Sequence, residues 1–384
     1  MILGIPIPFL LFAATLLGVA VWHRRSFEVA ITGLAVIVAH AVLTTDLNLA
    51  AHLAHEARLV ANLLGLLLGF AVLAKQFEDS RVPEWLPRWL PDDWTGGSAL
   101  LVLVAALSTF LDNIAAAMIG GVMANTLYRG RVSVGFLAAI VAASNAGGAG
   151  SVIGDTTTTM MWIAGVPAVH VADAFIAAVV AVAISGVIAA RAQQRVQPIQ
   201  KDPTGSPVID VGRLAIVGLM IAGTITANVL LDFPAAGLWA AIVIGSAVRA
   251  TPWTETARAI KGSLFLCSLV LSASLMPVSS LPDPTWQTAL GLGFVSAVFD
   301  NIPLTALALF QGGYDWGVLA FAVGYGGSMI WFGSSAGVAI CNLFPEARNT
   351  GRWLAEGWHV AVAYVIGFFA LLAVFGWHPD ILPR

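Results

Sequence analysis

The sequence predicts an all-α polytopic membrane protein built as an inverted repeat, with about ten spanning helices, two re-entrant hairpins and two broken helices. Of its 384 residues, 59% are hydrophobic and only 10% are charged, whereas about a quarter of the residues in soluble domains are charged. The long apolar runs do not alternate with period two, which excludes a membrane β-barrel. The phrase Asp-Asn-Ile occurs twice inside such runs, at 112–114 and 300–302, and this recurrence predicts two copies of one unit.

The first half, residues 1–190, contains spans, one hairpin and one broken helix. A segment at 76–95 holds three tryptophans among charges and prolines, which is typical of chain lying in the membrane interface. The predicted elements are spans near 2–22, 26–45, 57–75 and 168–190, a hairpin at 97–127 and a broken helix at 133–164.

The hairpin prediction depends on the length of its two arms. The apolar stretch 97–127 is interrupted at Asp112 and Asn113, which leaves two arms of about 15 residues. An arm of that length is about 22 Å long as a helix, too short to cross a hydrocarbon core of about 30 Å. We therefore expect the chain to turn back at Asp112-Asn113.

A polar, proline-containing linker at 191–210 separates this half from a second one at 211–384. The second half repeats the order of the first. Its predicted elements are spans near 211–231, 235–250, 262–282 and 354–376, a hairpin at 285–312 and a broken helix at 316–343. Asp300 and Asn301 form the tip of this hairpin.

Basic residues predict the orientation. If the loop at 23–25 is cytoplasmic and each hairpin returns to its own side, all of the 18 lysines and arginines except Arg58 and Arg384 lie in the cytoplasm. The positive-inside rule favours this arrangement. It places both termini outside the cytoplasm and gives the halves opposite topology, as in many secondary transporters. We expect a multi-pass protein of a bacterial inner membrane, with the lipid bilayer as its partner.

Three carboxylates lie at membrane depth, those of Asp112, Asp155 and Asp300. A charged aspartate at a helix centre costs about 2.5–3.5 kcal/mol on insertion scales, and such residues persist mainly where they face a polar cavity. The polar breaks also contain amides, hydroxyls and unwound backbone, an oxygen-rich set that suits hard cations such as Na⁺ or Li⁺. A carboxyl group removed from water also holds its proton more tightly. The same aspartates could therefore exchange a cation for protons.

This hypothesis assigns a cation and proton site to eleven residues and no resident cofactor. The residues are Asp112, Asn113, Asn145, Asp155, Thr156, Thr157, Thr158, Asp300, Asn301, Ser334 and Ser335, with Asp112, Asp155 and Asp300 as the ligands of the transported Na⁺ or Li⁺.

Other residues receive structural roles. Two cysteines are interpreted as packing residues, and no disulfide is expected. Five histidines are interpreted as interfacial or packing residues, namely His40, His52, His55, His170 and His359. The net charge of −3 indicates no nucleic-acid partner. Four acidic side chains are expected to be solvated in outer loops, namely Asp46, Glu56, Asp232 and Asp283.

At the polar breaks the chain resembles the ion transporter superfamily, and most of all its NhaD-type sodium/proton antiporters. The resemblance covers about residues 55–376, and its most specific part is Gly154-Asp155-Thr156-Thr157-Thr158. It implies a homodimer in which a transport domain, carrying the hairpins and broken helices, moves against a scaffold. The match is carried by Leu111–Ile114, Asn145–Ala149, Ile153–Trp162, Asp300–Leu304 and Gly333–Ala339.

The sequence departs from this family at the first hairpin tip. Ala115 stands where the second repeat has Pro303 and where the family often has proline in both repeats. The tips are also Asp-Asn-Ile, whereas dicarboxylate and citrate carriers of the superfamily typically have Ser-Asn-Thr there. This difference argues against a carboxylate substrate.

The sequence therefore favours a secondary transporter that exchanges Na⁺ or Li⁺ for H⁺, and not an enzyme. One alternative is a Na⁺-coupled symporter of an arsenite-, sulfate- or carboxylate-like anion. A remote alternative is an intramembrane aspartyl protease, because Gly154-Asp155 is part of that motif, but Val152 stands where the motif needs a glycine. A family member that has lost transport and acts as a regulator is a third alternative.

Overall fold

The computed structural model describes residues 5–22, 25–201 and 207–380, and over these residues the fold is helical, with no β-strand. Within this described part, six helices are long and apolar enough to cross a membrane by length and composition. The predicted all-α polytopic class is confirmed. Arg24 and Arg384, which entered the orientation argument, lie outside the described residues, as does the centre of the linker.

The first half contains ten α-helices in its described part. They are α1 (Ile7–Val21), α2 (Ser26–Thr44), α3 (Leu49–Asp79), α4 (Val82–Trp85), α5 (Trp94–Ser108), α6 (Asn113–Leu127), α7 (Val134–Ala149), α8 (Thr156–Ile163), α9 (Ala168–Ala172) and α10 (Ala174–Val196). A short 3₁₀ helix, Leu86–Trp89, follows α4.

The second half repeats the hairpin and the broken helix of the first. Its helices are α11 (Val211–Leu231), α12 (Pro234–Ser246), α13 (Trp253–Ser274), α14 (Trp286–Ser296), α15 (Asn301–Gln311), α16 (Trp316–Gly326), α17 (Ser335–Leu343), α18 (Thr350–Glu356) and α19 (Trp358–Phe375). Two 3₁₀ helices, Val278–Ser280 and Pro345–Arg348, connect them.

Both hairpins turn at the Asp-Asn pairs. In the first hairpin α5 ends at Ser108 and α6 begins at Asn113, and in the second α14 ends at Ser296 and α15 begins at Asn301. The backbone conformations of the two aspartates agree closely, with φ −54° and ψ 142° at Asp112 and φ −52° and ψ 140° at Asp300. The two tips are therefore copies of one backbone turn.

Helix α3 is longer than the sequence predicted. It has 31 residues, about 46 Å at 1.5 Å per residue, so it exceeds a hydrocarbon core of about 30 Å. The extra turns precede the predicted span and contain Glu56, which is only 7% exposed. The prediction of a solvated Glu56 in an outer loop is therefore wrong, because the helix starts two turns earlier than its apolar run.

The two broken helices form the centre of the molecule. Every residue of α7 and of α16 is buried. Both are rich in glycine and alanine, which lets other backbones approach closely. A Cβ added at Gly147 would lie 1.9 Å from the carbonyl oxygen of Ala105, and one at Gly326 would lie 2.3 Å from that of Gly293. Each hairpin arm therefore packs directly against the backbone of its broken helix.

Candidate functional site

Four helices begin at one place in the centre of the protein. Helices α6, α8, α15 and α17 have Asp112, Asp155, Asp300 and Ser334 as their N-cap residues. Asp155 and Ser334 share an extended backbone, with φ −142° and ψ 145° at the first and φ −143° and ψ 152° at the second. Three of the four helix starts therefore carry a carboxylate, a favourable place for negative charge, and the fourth carries a hydroxyl.

Asp155 connects the two hairpins. It is 2% exposed. Its Oδ1 accepts a hydrogen bond from the backbone N–H of Thr157 at 3.0 Å, which caps α8. Its Oδ2 accepts from Nδ2 of Asn113 at 3.1 Å and from Nδ2 of Asn301 at 3.5 Å. One buried carboxylate is thus held by an amide from each hairpin tip.

Asn145 connects the two broken helices. It is fully buried in α7, and its Oδ1 accepts from Nδ2 of Asn113 at 3.0 Å. Its Nδ2 donates to Oγ of Ser328 at 2.9 Å and to Oγ of Ser334 at 3.2 Å. Asn145 therefore joins the first hairpin tip to the break between α16 and α17.

The two remaining aspartates are half-buried. Asp300 accepts at Oδ1 from the backbone N–H of Ile302 at 3.0 Å and at Oδ2 from the hydroxyl of Ser335 at 3.2 Å. Asp112 makes no side-chain capping bond to α6. Its carboxylate instead lines a cavity, so it remains available to a ligand that enters there.

The threonines after Asp155 have different roles. The hydroxyl of Thr158 donates to backbone carbonyl oxygens, at 2.6 Å to Ser151 and 2.9 Å to Asp155, so it stabilises the unwound segment. Thr157 is fully buried, and its Oγ1 has no hydrogen-bond partner in the described part of the chain. Thr156 lines the cavity. Of the three, Thr157 has its hydroxyl beside the Asp155 carboxylate.

A cavity of about 1240 Å³ leads to this cluster. Charged residues of both signs line its other end, on the C-terminal part of α3, the segment that follows it, the linker and α13: they are Lys75, Arg81, Arg88 and Lys201, with Glu78, Glu84 and Glu255. Helix α6, about 22 Å long, lines the cavity from Asn113 at the hairpin tip to Leu127. The inner end of the cavity is lined by residues of the polar cluster, namely Asp112, Asn113, Asp155, Thr156, Asn301 and Ser335.

The three aspartates do not form a compact metal centre. Within the described ranges, no group of three or more His, Cys, Asp or Glu side chains is arranged to hold a metal ion. A cation beside Asp155 would complete its coordination with neutral oxygens, which the amides of Asn113 and Asn301, the hydroxyl of Thr157 and the open backbone of the breaks supply. Such a mixed oxygen set suits a weakly bound monovalent cation.

The structure brings together most of the residues that the sequence predicted for the site. Hydrogen bonds link Asn113, Asn145, Asp155, Asn301 and Ser334 into one network, and a separate bond links Asp300 to Ser335. Their role as cation ligands stays a prediction. Sequence reasoning missed Ser328 as a site residue, although it follows the predicted Gly326-Gly327 pair.

Comparisons with known proteins agree with a transport function. A family model described as a citrate transporter matches residues 3–326. Sodium/proton antiporter 1 of Arabidopsis thaliana is 30% identical over 294 residues, which are 63% of this chain and 49% of that protein. Sodium/proton antiporter 2 of the same organism is 25% identical over 387 residues, 86% of each chain. The chain spans about half the length of the first relative.

The family match extends over most of the chain, including both hairpins and the broken helix α7–α8. The match to a transporter family and the antiporter names of the two relatives indicate a transporter and not an enzyme, which argues against the protease alternative. The polytopic helical fold, with polar breaks at its centre, agrees with that assignment. The chain therefore belongs to the citrate transporter family, within the ion transporter superfamily, and is a multi-pass secondary transporter.

Proposed function

We propose that this protein is an antiporter that exchanges Na⁺ or Li⁺ for H⁺. One observation carries the proposal: Asp155 is a buried carboxylate that receives an amide from each hairpin tip. None of the basic side chains in the described ranges forms an ion pair with it. We therefore expect a proton or a cation that arrives through the cavity to balance the charge of Asp155. Two relatives that are named sodium/proton antiporters support the same proposal.

The mechanism is a competition for one carboxylate. A buried carboxylate is stable when a proton or a cation neutralises it, and the two exclude each other at the same oxygens. An asparagine amide presents either its nitrogen or its oxygen after a half-turn of the amide group. Asn113 and Asn301 would donate to the bare carboxylate of Asp155 and turn their oxygens to a bound cation. Asp112 and Asp300 would add negative charge nearby.

The cavity gives the site access to one side of the membrane. The end of the cavity that is lined by Lys75, Arg81, Arg88 and Lys201 lies on the side that the positive-inside rule makes cytoplasmic. This conformation would therefore face inward. The protein would lie in a bacterial inner membrane, as a homodimer, with both termini outside the cytoplasm. Motion of the hairpins and broken helices across the membrane would expose Asp155 to the other side.

A Na⁺-coupled anion symporter is the second candidate. The description of the family as citrate transporters favours it, and so does the meeting of four helix N-termini, which attract anions. Carboxylates already occupy three of those N-termini. The basic residues of the cavity belong to its far end. An anion at the tips would therefore meet negative charge, so the cation exchanger is the better proposal.

Proteoliposomes with an imposed proton gradient test the proposal. Addition of Na⁺ or Li⁺ should collapse the gradient, as followed by a pH-sensitive dye, with no requirement for an added anion. Protons compete for the same carboxylate, so the apparent Na⁺ affinity should fall as the pH is lowered. Uptake of labelled citrate, sulfate or arsenite that needs Na⁺, without gradient collapse by Na⁺ alone, would establish the symporter instead.

A further inference from the structure

The two breaks contain equivalent positions with different side chains. The two halves align with a constant offset in residue number. This offset pairs Gly148 with Gly327, Gly154 with Gly333, Asp155 with Ser334 and Asn145 with Gly324. A Cβ added at Gly148 would lie 2.7 Å from the carbonyl oxygen of Gly154, and one at Gly327 would lie 2.6 Å from that of Gly333. The equivalence therefore holds in the folded backbone.

The contacts across the centre obey the same equivalence. Asn145 lies against Ser334, with its Nδ2 3.2 Å from the serine Oγ. Gly324 lies against Asp155, and a Cβ added there would be 3.7 Å from the carboxylate Oδ2. The centre thus has two matching places. In one, an amide meets a neutral hydroxyl, and in the other, a glycine places no side chain beside a carboxylate.

Only one of these places requires a cation. Beside Ser334 there is no negative charge, and the Asn145 amide donates the hydrogen bonds that the two serine hydroxyls accept. Beside Asp155 the charge is uncompensated by any basic group in the described ranges. Gly324 and the side chain of Thr157 both adjoin the Asp155 carboxylate.

We infer that the protein binds one monovalent cation per chain, beside Asp155 on the side where Gly324 contributes no side chain. The Asn145 amide fills the matching place beside Ser334 and makes a second cation site there impossible. Gly324 then limits the size of the bound cation, and Asn145 limits the number of cations that one chain binds. This inference rests on the proposed function, since it describes the cation site of the same exchanger.

The wild-type protein gives the first test. Equilibrium binding of radioactive Na⁺ to purified protein at alkaline pH should saturate at one ion per chain, and gradient collapse should depend on Na⁺ without cooperativity. Saturation at two ions per chain would overturn the inference while leaving Na⁺/H⁺ exchange intact. Absence of both binding and exchange would instead refute the proposed function.

Asn145→Asp tests the number of cations that each chain binds. The aspartate has the same shape, can accept from Asn113 and the two serine hydroxyls, and replaces the amide with a charge. It should bind a second Na⁺ per chain at alkaline pH. The matched control is Asn62→Asp, another buried asparagine, whose Oδ1 accepts from the backbone N–H of Ala235 at 3.0 Å outside the site, and it should still bind one ion. A single ion in Asn145→Asp would contradict the inference.

Gly324→Ala tests the position of the bound cation. The added methyl would lie 3.3 Å from Cβ of Ala149, so it fits with a small adjustment, and it would reduce the space at Asp155. Na⁺ affinity should fall about tenfold, the effect of one methylene in a binding pocket, and Li⁺ affinity should fall less. Gly291→Ala, where an added Cβ meets nothing within 4 Å, should leave both affinities unchanged. Equal Na⁺ affinity in Gly324→Ala and wild type would place the cation elsewhere.

Discussion

The two broken helices have nearly the same backbone but carry different chemistry. At the break between α7 and α8, Asp155 receives an amide from each hairpin, whereas at the break between α16 and α17 the equivalent Ser334 receives the amide of Asn145. Both breaks need glycine for the same close backbone approaches. The two breaks therefore share one backbone, but of the two equivalent N-cap positions only the one in the first half carries a charge.

Replacement of the charge in the first break should have the largest effect. Asp155→Asn removes the carboxylate that proton and cation would share, so Na⁺-dependent gradient collapse should be abolished. Ser334→Ala should keep most of the exchange. Asp93→Asn, the same change at the exposed N-cap of α5, is the control and should exchange normally. Equal losses in Asp155→Asn and Ser334→Ala would contradict the division of charge.

Alanine at the break glycines should affect folding in both halves. A Cβ at Gly154 would lie 2.0 Å from the carbonyl oxygen of Ser108, and one at Gly333 would lie 2.5 Å from that of Ala297. Backbone atoms cannot move aside cheaply, so each change should destabilise the protein by about 1–3 kcal/mol, more at Gly154. Thermal aggregation in detergent measures this, with Gly218→Ala as a control in open space. Unchanged stability in both variants would show that the breaks adapt.

Asn145→Ala should destabilise more than Ser334→Ala. The first change leaves Asn113 without one acceptor and removes both bonds to the serines, at a cost of about 1–3 kcal/mol for buried polar groups. The second leaves Asn145 still bonded to Ser328. The midpoint of thermal unfolding compares them, and Asn125→Ala, at an exposed position, should stay near wild type. A larger loss in Ser334→Ala would mean that Asn145 does not hold the two halves together.

The smallest effects should come from the hydroxyls that follow the two caps. Ser335→Ala removes the bond to Oδ2 of Asp300, worth about 0.5–1.5 kcal/mol, and should weaken apparent Na⁺ affinity by about two- to tenfold. The side chain of the equivalent Thr156 forms no hydrogen bond with any residue that the structure describes, so Thr156→Ala should change the affinity less. Na⁺ titrations of gradient collapse measure both. A larger effect of Thr156→Ala would indicate that its hydroxyl contacts the cation.

Most of the fold can be predicted from the sequence, because polar pairs interrupt apolar runs that have no other reason to stop. The tips at Asp112 and Asp300 and both broken helices lie where that argument puts them. The start of α3 was missed, since polar residues such as Glu56 continue a helix as readily as they end one.

The cross-connections of the site could not be predicted. Asn145 is separated by 183 residues from Ser328 and by 189 from Ser334, and no local pattern indicates which amide meets which hydroxyl. The role of Thr158 was also hidden, because its carbonyl acceptors exist only once the helix is unwound. The alignment of the two halves shows that Gly324 stands where the first half has Asn145. Only the structure shows that Asn145 lies beside Ser334 and that Gly324 lies beside Asp155.

The glycine contacts have a mechanical consequence. Each broken helix touches its hairpin through bare backbone, at Gly147 with Ala105 and at Gly326 with Gly293, so no layer of flexible side chains lies between them. Surfaces in such contact cannot slide without separating. We expect each hairpin and its broken helix to move together, so that any change of access to Asp155 would occur at the outer boundary of that unit, against helices such as α3 and α13.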